Sequence, residues 1–260
     1  MNARSGDYDG IYLHEYKDVH LTDCILVVGF PSVGLISSIA ANYIVRTMKL
    51  DRIAAIVSPD FPPYTIVQDG LPSHPVRIFA GKRACEGGPG ESCQQIVVIL
   101  AEFMPRPELL MPMADLMLDW AKHKGVHSII TLEGMNVGEE ENSSTLSVGT
   151  TDKAREIIMK YKIGMMADGM VSGMSAILLS EGERMGLDVV CLLGPAKADI
   201  PDARGAANLL EIIGRMLPEL KLDPEPLLKE AEQIEQGMKA AMQTMKQPKK
   251  QPADQSFLYG

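Results

Sequence analysis

The sequence predicts an α/β protein: a mostly parallel sheet sandwiched by helices, followed by a C-terminal heptad helix and a disordered tail. Two observations predict the sheet. Short, wholly apolar runs alternate along the chain with segments of helical period. Those runs are apolar at every position, as strands buried on both faces are, and helices on both sides of a parallel sheet bury both faces. A third observation predicts the appendage. Beyond Pro218 the apolar runs stop, and a narrow 3.5-residue period takes over.

The first strand is CILVVGF, residues 24–30, and a helix with a small-residue face follows over 32–48. RIAAIVS, 52–58, is the next strand. YTIVQDGLPSHPVRIFA, 64–80, contains short β pieces about a turn at Asp69-Gly70. QQIVVILA, 94–101, is a buried strand, and residues 107–125 form a helix that Pro112 should bend or shift at its start. A strand is expected over 127–134, then a polar loop. A helix over 151–161 has Thr151 or Asp152 as its N-cap, and another covers 172–186. The last strand is 187–195, and the helix over 201–217 is capped by Asp202. The sheet is expected to form one domain from about residue 10, within a unit spanning 1–220. No internal repeat interrupts it.

Residues 221–247 read as a separate helix starting near Pro224 or Pro226. Its apolar positions are Leu227, Ala231, Ile234, Met238, Ala241 and Met245, spaced 4, 3, 4, 3, 4. That is a heptad seam, expected to serve oligomerisation; an amphipathic helix packed on its own domain would give a similar but wider stripe. Gly237 costs such a helix roughly 1 kcal/mol relative to Ala, which a partner would offset. Residues 248–260 read as a flexible tail. Its linker, QPKKQPADQS, has two prolines and no large apolar residue. From Gln247 onward the chain could reach roughly 40 Å if extended. Yet this tail carries Phe257, Leu258 and Tyr259 immediately before Gly260.

Composition narrows the function classes. The net charge is -9, and no basic patch is interleaved with aromatics, so nucleic acid is not an expected partner. The N-terminal stretch has no apolar run resembling a signal peptide, and no stretch approaches the length needed to span a bilayer. A soluble, cytoplasmic protein without a membrane partner is expected. Cys24 and Cys191 sit in apolar runs as small hydrophobes. Cys85 and Cys93 flank CEGGPGESC at a spacing wrong for a metal knuckle, and a disulfide between them would be unexpected in a reducing cytosol. The many methionines read mainly as core filler.

Candidate chemistry is sparse. The turn GFPSVG lies between the first strand and its helix, where dinucleotides and phosphates bind in related architectures. Gly29 and Gly34 do not complete G-x-G-x-x-G, and no Lys-Ser or Lys-Thr follows, so a structural turn is the simpler reading. Ser32 is a nucleophile only if a base stands near it. Glu133, at the carboxyl end of its strand, is the one acid placed for catalysis; Glu139, Glu140 and Glu141 read as a solvated run. His14, His20, His74, His123 and His127 form no spaced pair on a helix. No cofactor is expected.

Several segments, in order, resemble the proteasome assembly chaperone family in its archaeal form. They are LVVGFPSVGLISSIAANYIV, then VSPDFPPYTIVQDGLPSHPVRIFAG, ITLEGM, and DGMVSGMSAILLSEGERMGLDVVCLLG. The motif loops are Gly29, Phe30, Pro31 and Gly34, and Asp60, Phe61, Pro62 and Pro63. Ser32 stands where Gly is more usual. The resemblance implies a nucleoside-phosphorylase-like, Rossmann-like sandwich used without catalysis, and a homo-oligomer. Some archaeal relatives end in a hydrophobic residue, Tyr and any residue, the HbYX motif, and Leu258-Tyr259-Gly260 matches it. The resemblance therefore implies binding to proteasome α subunits or the 20S core particle, by an assembly chaperone or an ATP-independent activator. The alternative is a small-molecule, nucleoside- or nucleotide-type enzyme or binding protein on the same fold, which would use Glu133 or the Gly29–Gly34 turn.

Overall fold

The computed structural model describes residues 4–68, 70–84, 94–137, 144–198 and 200–229. The chain opens with two strands, β1 (Arg4–Tyr8) and β2 (Ile11–Glu15). Then follow β3 (Cys24–Gly29), a 3-10 turn (Val33–Leu35), helix α1 (Ile36–Thr47) and β4 (Asp51–Val57). The small hairpin β5 (Ile66–Gln68) and β6 (Leu71–Ser73) forms about Gly70, as expected. The long strands β7 (Val76–Ala84) and β8 (Gln94–Ala101) lead into α2 (Pro107–His123). The rest is β9 (Val126–Asn136), β10 (Leu146–Gly149), α3 (Asp152–Lys160), β11 (Gly164–Met165), α4 (Gly173–Met185), β12 (Val189–Ala196) and α5 (Ala203–Met216).

All strands but the hairpin join one ten-stranded sheet, in the order β1-β2-β4-β7-β8-β3-β9-β12-β10-β11. Its centre, β8-β3-β9-β12, is parallel, and these are the strands that read as continuous apolar runs. Antiparallel strands β7, β4, β2 and β1 extend one side, and β10 pairs antiparallel with β12 on the other. The helices divide between the faces. Ile25 and Val27 of β3 pack with α1, α3 and α5, whereas Leu26 and Val28 pack with α2 and α4. Such period-two alternation between two buried faces is why every position of the run had to be apolar.

Three local expectations need amendment. The sheet begins at Arg4 rather than near residue 10. Its first strands are tied to α2: Tyr8 donates to Asp119, the Trp120 indole donates to Glu15 over 3.0 Å, and Lys124 pairs with Glu15 at 3.1 Å. Pro112 does not shift the helix start; α2 begins at Pro107 and continues through Pro112 to His123. A proline five residues into the helix forfeits only a bond to the first turn. The short strands β10 and β11 were not expected. The two caps were: Thr151 accepts from the Ala154 amide at 3.0 Å, and Asp202 from Gly205 at 2.8 Å.

The chain leaves α5 through a 3-10 turn at Pro218–Leu220 and turns helical again at 225–229. Leu227, the first residue of the heptad seam, is 7% exposed and packs into the cluster shared with α1 and α5. Tyr43 of α1 holds this segment by donating to the Asp223 carbonyl at 2.5 Å. Ala231, Ile234, Met238, Ala241 and Met245 lie outside the described residues, as do the tail and its Leu258-Tyr259-Gly260.

Candidate functional site

Strand direction gathers the sequence motifs at one edge. β4, β8, β3, β9 and β12 all run the same way. Their carboxyl ends deliver, respectively, Asp60–Pro63, Glu102–Met104, Phe30–Leu35, Glu133 and Lys197 to the same edge of the sheet. In open α/β sheets this edge carries the ligand sites.

The turn after β3 is filled by the protein itself. Gly29 lies under α1 so closely that a Cβ there would stand 2.4 Å from the Ala41 Cβ. Gly34 has φ +62°, and a Cβ would meet the Lys197 carbonyl oxygen at 2.7 Å. Its own carbonyl accepts from the Asp202 amide at 2.7 Å, while Asp202 Oδ2 accepts from the Lys197 amide at 3.0 Å. The Gly34 turn thus stitches β3 to the end of β12 and the start of α5. Ser32 is engaged inside it: its hydroxyl lies 2.5 Å from that of Ser37, which donates to the Phe30 carbonyl at 2.5 Å. None of these contacts offers Ser32 a base.

The Asp60–Pro63 loop is tied to the segment that joins β8 to α2. Arg106 pairs with Asp60 at 3.3 Å, and Phe61 meets Phe103 edge-to-face with centroids 5.0 Å apart. Tyr64 meets the same Phe103 ring at 6.3 Å. Phe30 from the first loop and Phe61 from the second reach the same apolar cluster under α2 and α4. The two motif loops therefore brace one core rather than converge on a cleft. Asp60 and the rings around it make a rigid edge, since the adjoining prolines fix φ.

Glu133 lies on the α4 side of β9, near its carboxyl end, although the strand runs on to Asn136 rather than ending at 134. Sequence reading missed its neighbours. Ser175, in the first turn of α4, bonds Thr131 at 2.8 Å, and it also bonds Glu133. The Gly134 amide donates to Glu133 Oε1 at 3.3 Å. Burial pushes the Glu133 carboxyl up to about 7, against these two hydrogen bonds, which favour the ionised form. Burial, with the Glu133 charge second, likewise pushes the Cys191 thiol up, so it is a proton-holding group rather than a nucleophile. The group is a buried polar network joining β9, β12 and α4. Among the described residues no three His, Cys, Asp or Glu side chains cluster as metal ligands. Cys85 and Cys93 lie outside them.

Comparison with known proteins decides the family. The model of the PAC2 family matches residues 26–242. The chain belongs to the PAC2 family. The match covers both motif loops and Glu133. A curated relative, the uncharacterised protein MJ0106 of Methanocaldococcus jannaschii, is 26% identical over 231 residues, which cover 89% of this chain and 90% of that one. Among solved structures the fold is similar to PbaA of Pyrococcus furiosus, described as an archaeal homologue of a proteasome-assembly chaperone. That likeness has a TM-score of 0.79 and 28% identity over 91% of this chain and 93% of that one. It is also similar to PbaB of the same organism, described as an archaeal proteasome activator, with TM-score 0.75 and 21% identity over 90% and 99%. The helix-flanked sheet is thus the fold of PAC2 proteins. Among the described residues no helix is long and apolar enough to cross a membrane.

Proposed function

We propose that this PAC2 protein is a non-enzymatic partner of the proteasome, an assembly chaperone or ATP-independent activator that docks on α subunits through Leu258-Tyr259-Gly260. The observation that carries the proposal is family membership, joined to the likeness with PbaA over nine-tenths of both chains. The terminal triplet supplies the contact. Tyr259 buries its ring and keeps its hydroxyl bonded, and Leu258 adds apolar burial worth roughly 1.5–3 kcal/mol if complete. One tail is a weak ligand. The seam beyond Leu227, from Ala231 to Met245, gathers several, and effective concentration raises their joint affinity. The packing of Leu227 onto its own domain makes that helix a continuation of the folded unit at its first turn.

The small-molecule reading is the weaker one. The Gly29–Gly34 turn is occupied by backbone and by Ala41, and Glu133 faces Ser175 and Cys191 with no histidine in their network. The test is a pull-down of isolated α rings and of intact 20S particles by the full chain and by a chain lacking Leu258–Gly260. Capture by the full chain alone supports tail docking, and preference for free rings assigns the assembly role. Equal capture by both forms refutes tail docking, and no capture by either refutes the proteasome partner.

A further inference from the structure

Four polar side chains meet where β9, β12 and the first turn of α4 join. Ser175 Oγ, 2% exposed, is shared among them: it lies 2.8 Å from Thr131 Oγ1 and also bonds Glu133 and Cys191. Donors are scarce for the acid. An ionised carboxylate offers about four acceptor positions. Among the described residues Glu133 receives a bond from the one Ser175 proton and another, at 3.3 Å, from the Gly134 amide. Charged groups of the surrounding elements are engaged elsewhere. On α4, Glu181 pairs with Arg184, and Asp115 of α2 feels those two and Asp119. Glu102 is taken by Arg77, and Asp202 by the amides of Lys197 and Gly205. Asp168 and Lys197, on the loops before α4 and after β12, are exposed. From β12 the acid faces the Cys191 thiol, which holds its proton. A protonated Glu133 fits such a site, with fewer acceptors to satisfy and a donor of its own. An ionised one is a mostly buried charge that only water can finish solvating.

Packing decides which wall of the site yields. β9 and β12 lie side by side in the sheet, and Gly134 is wedged under the Val33 carbonyl. The start of α4 is held less firmly. Ser172 stands at its N-cap without a side-chain cap bond, and Gly173 has φ +69°. The residues leading in, Ala167 to Gly169, are exposed, and Met170 is 90% exposed.

We propose that the Glu133–Ser175 contact is a pH-operated latch, holding the first turn of α4 while Glu133 carries its proton and releasing it when the carboxyl ionises and is hydrated. The sign follows from the two forms. Burial holds the Glu133 carboxyl up at about 7 when the turn is closed, and hydration returns it toward its ordinary 4.5 when the turn is open. The closed form is therefore most favoured below about 4.5, and the advantage falls as pH rises through about 7. Release uncovers Met174, 1% exposed when closed, beside Met104 and Met170. Met104 already lies over this turn, its methyl 3.2 Å from where a Gly173 Cβ would stand. Raising the pH thus adds adaptable apolar surface at the carboxyl edge of the sheet, of the kind used for protein contacts. The latch depends on neither the C-terminal tail nor the proteasome reading.

The test is hydrogen exchange of the full chain at pH 5, 6.5 and 8, read by mass spectrometry and corrected for the intrinsic rate at each pH. The amides of 177–180 report the turn, because they bond the carbonyls of 173–176. Their protection should fall at least roughly tenfold from pH 5 to pH 8, and at pH 8 should lie at least roughly tenfold below that of α5. Glu133→Gln, neutral at every pH, should abolish the fall. Protection independent of pH in the parent chain overturns the proposal, and that comparison needs no variant. So does protection equal to that of α5 at each pH, which would mean that the turn opens only with the whole molecule. A fall that survives in Glu133→Gln overturns it as well.

Discussion

The Gly134 backbone passes beneath Val33 so closely that a Cβ on Gly134 would lie 2.3 Å from the Val33 carbonyl oxygen. The end of β9 and the turn after β3 are thereby locked together, with Glu133 immediately before the contact. Gly134→Ala forces backbone apart rather than a flexible side-chain end. We expect a loss of about 1–3 kcal/mol or more, the range for overpacking a filled site. Urea unfolding checks it: the midpoint should fall at unchanged slope. An unchanged midpoint would mean that the turn yields freely.

Glu133 gives the protein a pH signature. Its folded pKa, about 7, lies above an ordinary value near 4.5, so the folded state binds the proton more tightly than the unfolded state. The resulting stabilisation is complete below about 4.5 and is lost as pH rises through about 7, on the order of 3 kcal/mol over the window. Glu133→Gln keeps a neutral, hydrogen-bonding side chain and should flatten that part of the stability profile, leaving the variant more stable than the parent at pH 8. Unfolding midpoints at pH 5, 6, 7 and 8 decide it, and parallel profiles for the two proteins would contradict the assignment.

Asp202 performs two tasks with two oxygens. Oδ1 caps α5 through Gly205, and Oδ2 accepts from Lys197 at the end of β12. Asp202→Ala removes both and should cost about 1–2 kcal/mol, at the upper end for a lost N-cap. Asp202→Asn retains one acceptor and should fall between. Thermal denaturation of the three proteins ranks them; equal losses for Asn and Ala would show that only one of the bonds matters.

Much of this was legible in the sequence, and the particular misses have physical causes. The apolar runs at β3, β8 and β12 state double burial directly, and Thr151 and Asp202 announce their helices by cap chemistry. Glu133 was readable as an acid at a strand's carboxyl end, but Ser175 is distant in sequence, and only the docking of α4 brings it near. β2 alternates Ile11 and Leu13 with polar neighbours over five residues, too short a signal without the α2 face that buries it. The Gly29–Gly34 turn was read more simply as structural, though a ligand cradle and a tight splice both demand glycine; the contacts to Ala41 and Lys197 are those of a splice. A seam of period 3.5 does not say which surface it faces, and at Leu227 that surface is the protein's own core.

Docking on α subunits rests on Leu258-Tyr259-Gly260 as the contacting element. The most direct measurement is a binding titration of the full chain against isolated archaeal α rings, beside Tyr259→Ala and Leu258→Ala. If the tail docks as proposed, each change weakens binding at least roughly tenfold, about 1.4 kcal/mol or more. Affinities unchanged in both altered chains would contradict it.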